Sequence, residues 1–172
     1  MYKRRPSTEE HAPYFQKYID KVEGKDFLAE LKEQTLIKDL ESLSPTEWDH
    51  RYAPGKWSVK EVVKHLSDTE RVFAYRALRI SRNDKTPMPG FDQDDYSANA
   101  GADSQSAAAL VRELKNVRAA SIDLFESLSE EAIDRVGVAG DAKTSVLALG
   151  YMILGHQNHH IQLFKESYKL WQ

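Results

Sequence analysis

The apolar run that begins near Val146 and continues through Ile161, Leu163 and Phe164 constrains this chain most, because its interior carries Gly155-His156-Gln157-Asn158-His159-His160. Three of the chain's six histidines fall in that stretch. On a helix, residues four apart lie one above the other, so His156 and His160 can offer ring nitrogens to a single point. The same spacing also suits a hydrogen-bonded pair inside a core. Projection at about 100° per residue separates the rings. His160 falls inside the arc formed by Val146, Leu149, Ile153, Leu154, Ile161 and Phe164, His156 sits at its border, and His159 points outside it. Gln157 projects toward the centre of the arc and so needs a hydrogen-bonding partner.

A third inward-capable histidine lies far away in sequence. Ser58-Val59-Lys60-Glu61 has capping-box spacing and opens a helix through Val62, Val63, Leu66, Phe73, Ala74, Ala77 and Ile80 to about Arg82. His65 falls near the border of its apolar face, between Val62 and Thr69. His11, near an irregular N-terminus, and His50, in a polar loop, read as surface residues. Three neutral imidazoles from two helices would leave a metal ion an open position for water or substrate, the layout of a catalytic rather than a structural site.

The remaining segments predict the frame that holds these helices. Ser7 and Glu10 have capping-box spacing for a helix past Tyr14, Phe15, Tyr18 and Ile19 to Val22, with Pro13 awkward inside it. After Gly24, Asp26 can cap a first long helix carrying Phe27, Leu28, Leu31, Leu36, Ile37, Leu40 and Leu43. Ser44-Pro45-Thr46-Glu47 starts a short turn of helix before the loop Tyr52-Ala53-Pro54-Gly55-Lys56, which Trp48 and Trp57 pin to the core. From Asn83 to about Asp103 the chain is loop-like, tied down by Met88, Phe91 and Tyr96. Its cluster Asp92-Gln93-Asp94-Asp95 is not a calcium loop, because Ser97 stands at the sixth position and Asp103 at the twelfth.

A third long helix begins after Asp103 or Ser104 and carries Leu110, Val111, Leu114, Val117, Ile122, Leu124, Phe125 and Leu128, and Ser129-Glu130-Glu131 restarts a short turn. Gly137 and Gly140-Asp141 then break the chain before Thr144 or Ser145 caps the last helix, which ends near Trp171. Four long amphipathic helices without a strand pattern predict an all-α fold: a four-helix bundle with a long connection between the second and third long helices, plus short additional helices. At 172 residues, one domain over 1–172 is expected.

Composition narrows the chemistry. The chain has no cysteine, which excludes a disulfide scaffold and a thiolate zinc site. A net charge of -3 without a basic stripe predicts no nucleic-acid partner. No apolar run is long enough to span a bilayer. Polar and acidic residues follow Met1-Tyr2-Lys3-Arg4-Arg5-Pro6 where a signal peptide needs its apolar region, so a cytoplasmic protein without a membrane partner is expected.

The run Ala53-Pro54-Gly55-Lys56-Trp57-Ser58-Val59-Lys60-Glu61-Val62-Val63-Lys64-His65-Leu66, the following Asp68 to Arg76, Pro89-Gly90-Phe91-Asp92 and the stretch Gly155 to His160 resemble the DinB-like superfamily of bacterial metal-binding four-helix bundles. The similarity covers nearly the whole chain. The family's signature, a histidine on the second helix and an H-x-x-x-H pair on the last, maps onto His65, His156 and His160, which the resemblance implies as metal ligands. It further implies a divalent metal, zinc or nickel with iron also compatible, and a thiol S-transferase that activates bacillithiol, mycothiol or a similar low-molecular-weight thiol against an electrophilic small-molecule substrate. A homodimer is implied as well. A metal-dependent hydrolase on the same ligands, and a non-catalytic stress-associated bundle with a structural metal, are the alternatives. Catalytic residues are not identified. Tyr14 and Tyr18 suit either the mouth of the site or aromatic packing. Arg76 and Arg79 suit a cofactor carboxylate, solvent, or pairing with residues such as Glu70.

Overall fold

Ser145 accepts a hydrogen bond from the backbone N–H of Ala148 and so caps the last helix, Val146–Glu166, which is buried without interruption from Val146 to Gln157. A helix buried on every face needs neighbours all round, and the computed structural model supplies them. It describes residues 4–171; Met1–Lys3, which open the basic N-terminal stretch, and Gln172 lie outside the described residues. In chain order the helices are α1 (Gln16–Ile19), α2 (Phe27–Lys32), α3 (Leu36–Glu41), α4 (Pro45–Asp49), α5 (Val59–Ser81), α6 (Gln93–Asn99), α7 (Ala107–Glu126), α8 (Glu130–Ile133) and α9 (Val146–Glu166). Together they form a four-helix bundle whose long members are α5, α7, α9 and the broken segment α2–α3. Among the described residues, no helix is long and apolar enough to cross a membrane.

The direction of the helices explains the long connection. Lys64 pairs with Glu113 at 2.7 Å and Glu70 with Arg118 at 2.8 Å, so α5 and α7 run parallel. Helix α5 has 23 residues and is about 34 Å long. The chain must therefore travel back that distance between Arg82 and Ser106. It does not do so as a bare loop. Asp92 accepts from the N–H groups of Asp94 and Asp95 and caps α6, which gives the acidic cluster a local role. Met88 is buried and exchanges backbone hydrogen bonds with Val138 and Gly140. Helix α7 begins later than expected, at Ser106, whose hydroxyl accepts from Ala109. Asp103 is engaged elsewhere, with Arg51 at 2.9 Å and the Ser58 hydroxyl at 3.2 Å.

Three further expectations are corrected. The Ser7/Glu10 capping box forms, but it opens only a 3-10 turn, Thr8–Glu10. Pro13 excludes the helical conformation at Ala12 (φ −63°, ψ 143°), and the chain restarts as a second 3-10 turn leading into α1. The first long helix is split at Glu33-Gln34-Thr35 into α2 and α3, because its apolar residues step by five from Leu31 to Leu36, where one continuous face needs three or four. A two-stranded antiparallel sheet, β1 (Val136–Ala139) with β2 (Ala142–Ser145), precedes α9. Its two-residue turn, Gly140-Asp141, has φ of 60° and 63°, the type I′ geometry that matches strand twist.

The core is divided. One cluster contains Phe27, Leu31, Phe73, Ala77, Ile80, Phe125 and the α9 residues Val146 to Leu154. The other contains Leu36, Leu40, Trp48, Val59, Val62, Leu66, Leu110, Leu114 and Phe164. Between them lies a polar belt. Arg118 holds the Glu70 carboxylate in a fork, Nε to Oε1 at 3.0 Å and Nη2 to Oε2 at 2.8 Å, and donates to Gln157 at 2.6 Å. Gln157 in turn donates to Gln34 at 2.7 Å. The partner expected for Gln157 is thus a network that touches all four members of the bundle. Breaking one side of a buried pair leaves the other charge desolvated. Arg118→Met is expected to lower unfolding free energy by about 3–5 kcal/mol, read from urea denaturation, whereas Glu70→Leu combined with Arg118→Met should recover most of that loss.

Candidate metal centre

Helices α5 and α9 bring His65, His156 and His160 together in this belt. The Nε2 atoms of His65 and His156 are 3.0 Å apart and those of His156 and His160 3.2 Å apart. One ligand atom from each ring lies within 4.8 Å of the others. A single Nε2 cannot be hydrogen-bonded well to two others, since it either carries a proton or offers one lone pair. The arrangement fits a cation better than a hydrogen-bonded core pair. Nitrogens about 2.0–2.1 Å from a tetrahedral ion are about 3.3 Å apart, close to both separations. The three buried imidazoles can hold a metal ion.

Burial sets their protonation. It pushes His65 down to about 4, with a smaller effect of His159, and drives His156 and His160 well below 6.5. Neutral imidazole is the form that binds metal. His159, half-buried, lies against the rings of Tyr18 and His160 at 5.4 and 5.1 Å and adds no nitrogen to the cluster. His50 is exposed as expected, but His11 is only 5% exposed and bonds Ala12 O through Nδ1, a correction to its surface reading.

A cavity of about 370 Å³ reaches His65 and His156. Tyr14, Phe15, Tyr18, Phe73 and Phe91 supply its aromatic walls, and Asp92, Gln93 and Asp94 line the side nearest the linker. Tyr14 and Tyr18 therefore both line the site and pack, their hydroxyls 3.4 Å apart and their rings edge to face. Trp57, placed in sequence as a loop anchor, also lies against His65, with ring centroids 4.8 Å apart. Arg76 is buried and donates to Pro89 O, and Arg79 pairs with Asp84, so neither meets Glu70. A larger cavity, about 650 Å³ between α3, α4 and α7, has no histidine in its lining.

Sequence reasoning missed Thr69, Phe91 and the acidic lining. Thr69 was within reach, because it stands four residues after His65 on one helix and its Oγ1 lies 3.3 Å from Nδ1. Phe91 to Asp94 sit in the linker, where no periodicity assigns a face. The N-terminal wall depends on Gly155. A Cβ there would lie 1.9 Å from the carbonyl oxygen of Tyr18, so α1 crosses α9 in backbone contact and sets the Tyr18 ring 5.3 Å from His156.

Two outcomes follow from this geometry. Gly155→Ala gains about 1 kcal/mol in helix propensity, but the overlap is with backbone and cannot be relieved by a rotamer. Net destabilisation of about 1–3 kcal/mol is expected, read from urea denaturation. For the metal-free protein the pH dependence also has a definite sign. A histidine with a depressed folded pKa binds its proton more readily when unfolded, so its favourable contribution is present above about 6.5 and is lost as pH falls toward about 4. His65 alone should account for about 3 kcal/mol of that loss, checked by urea midpoints across the window.

Comparison with known proteins agrees with the fold. The chain is 28% identical over 133 residues to YfiT of Bacillus subtilis, covering 73% of this chain and 72% of that protein. It is 24% identical over 132 residues to OB0413 of Oceanobacillus iheyensis, covering 76% and 75%. Both relatives carry the provisional description of metal-dependent hydrolase. The solved structure of YfiT, described as an unusual four-helix bundle, superposes with a TM-score of 0.73 at 19% identity, over 97% of this chain and 93% of that one. The DinB superfamily matches residues 28–164, and the chain belongs to that superfamily.

Proposed function

We propose that His65, His156 and His160 hold a divalent metal ion through their Nε2 atoms, and that the protein is a metal-dependent enzyme acting on a small molecule in the adjoining cavity. The observation that carries this reading is the convergence of three buried Nε2 atoms at a cavity whose lining includes two of their rings. Imidazole donors suit zinc, nickel and iron alike. When bound, such an ion acts as a Lewis acid and lowers the pKa of a coordinated water or thiol.

Water as the nucleophile is the first reading. Among the described residues the cavity lining carries two carboxylates, Asp92 and Asp94, and two cations lie against its wall rings, Lys17 over Tyr14 and Arg76 near Phe91. Hydrolysis agrees with the descriptions of the two relatives. Thiol S-transfer with bacillithiol or a similar thiol is the second reading. Its support is the aromatic wall of five rings, which fits an apolar electrophile, and a chain with no cysteine to compete for it. In either case Tyr14, Tyr18, Phe73 and Phe91 orient the apolar part of the substrate and exclude water around it. A homodimer is proposed with this reading on the resemblance alone, and light scattering decides it.

Protein purified without added metal or chelator should contain near one divalent ion per chain. His65→Ala and His160→Ala should lose it, and full retention by both would remove the centre assigned here. Turnover of an ester and electrophile panel in ¹⁸O-labelled water with added thiol separates the chemistries. Label in the product supports hydrolysis, and sulfur in the product supports transfer. Metal-loaded protein that turns over neither leaves the structural-metal bundle.

A further inference from the structure

We infer that Thr69 is a positioning residue for this centre: its hydroxyl accepts the Nδ1–H of His65 and so leaves the Nε2 lone pair of that ring free for a metal ion. The inference rests on the metal-centre reading above and adds the residue that presets one ligand. Neutral imidazole carries one proton on either of two nitrogens. In water the Nε2–H form is preferred, and that proton would point at the Nε2 of His156, 3.0 Å away. A ligand at this position therefore needs something to hold its proton on the far nitrogen.

Thr69 is placed to do this. It lies one helical turn beyond His65 on the same face of α5, with Oγ1 at 3.3 Å from Nδ1. Both residues are buried, Thr69 at 3% exposure and His65 at 6%, so water does not compete freely for either group. Other buried hydroxyls on the long helices behave differently. Ser67 and Ser121 donate to the carbonyls four residues back, Val63 and Val117. The bond found for Thr69 is to the imidazole instead. Trp57 packs on the same ring, with centroids 4.8 Å apart and planes tilted by 52°, and restricts its rotation. Among the described residues, the far nitrogen of His160 is buried without a partner, so His65 is the better-anchored ligand. Outer partners of this kind typically change metal affinity about 10–100-fold.

The tautomer is read directly by long-range ¹H–¹⁵N correlation on the metal-free protein. His65 should be in the Nδ1–H form in the wild type and in Thr69→Ser, and should shift toward Nε2–H in the near-isosteric Thr69→Val. Zinc affinity by chelator competition should fall about 10–100-fold in Thr69→Val and stay close to wild type in Thr69→Ser. An Nε2–H ring in the wild type overturns the inference without recourse to any variant. Unchanged zinc affinity and tautomer in Thr69→Val overturn it as well. Wild-type protein that binds no zinc, nickel or iron instead overturns the metal-centre reading, and the tautomer measurement still judges Thr69.

Discussion

The buried fork between Arg118 and Glu70 is the interaction on which the rest of the bundle depends. Two apolar clusters could slide or rotate past one another at modest cost, because burial of hydrocarbon is non-directional. A charge pair at half height cannot. Arg118 reaches α5 through Glu70 and α9 through Gln157, and Gln157 reaches the α2–α3 break through Gln34. Each member of the bundle therefore has a fixed height and a fixed face at this level. Glu70 directly follows Thr69, and Gln157 directly follows His156. The network that sets the register of α5 against α9 thus also sets the distance between the histidines they carry.

The same belt sets the environment of the three histidines. Apolar clusters above and below it exclude water, which keeps the imidazoles neutral and would strengthen any charge interaction made among them. Beside His65 and His156, Thr69 and Phe73 of α5 form part of the cavity wall, and the rest comes from segments outside the long helices. The crossover that lets α5 and α7 run parallel contributes Phe91, Asp92 and Asp94. The irregular N-terminal segment contributes Tyr14, Phe15 and Tyr18. The three histidines sit on rigid helices and much of the cavity wall on connections, a division in which the wall can vary while the histidine cluster stays in place.

How much of this is legible in the sequence differs by element. The bounds of α5 follow from a capping box and a periodic apolar face, and the structure has both. The His156/His160 pair follows from helical spacing alone. The split of the first long helix was also written in the chain, as a step of five between Leu31 and Leu36, but a window that averages over that step reads one continuous face. Gly140-Asp141 signals a hairpin turn as readily as a simple break, and only the pairing of Val136–Ala139 with Ala142–Ser145 decides between them.

By itself the sequence determined the helical periodicity, the caps, the absence of cysteine ligands and the three histidines able to face inward, because each depends on composition or on residues within a few turns of one another. Tertiary structure alone decided that His65 meets His156 across 91 positions of chain, that Arg118 rather than Arg76 pairs with Glu70, and that Phe91 and Asp92 face the histidines. These depend on helix direction and rotation, which the buried fork and the close contact of Tyr18 with Gly155 set between segments distant in sequence. Local pattern cannot encode them: hydrophobic periodicity says which face of a helix is covered, not which partner covers it.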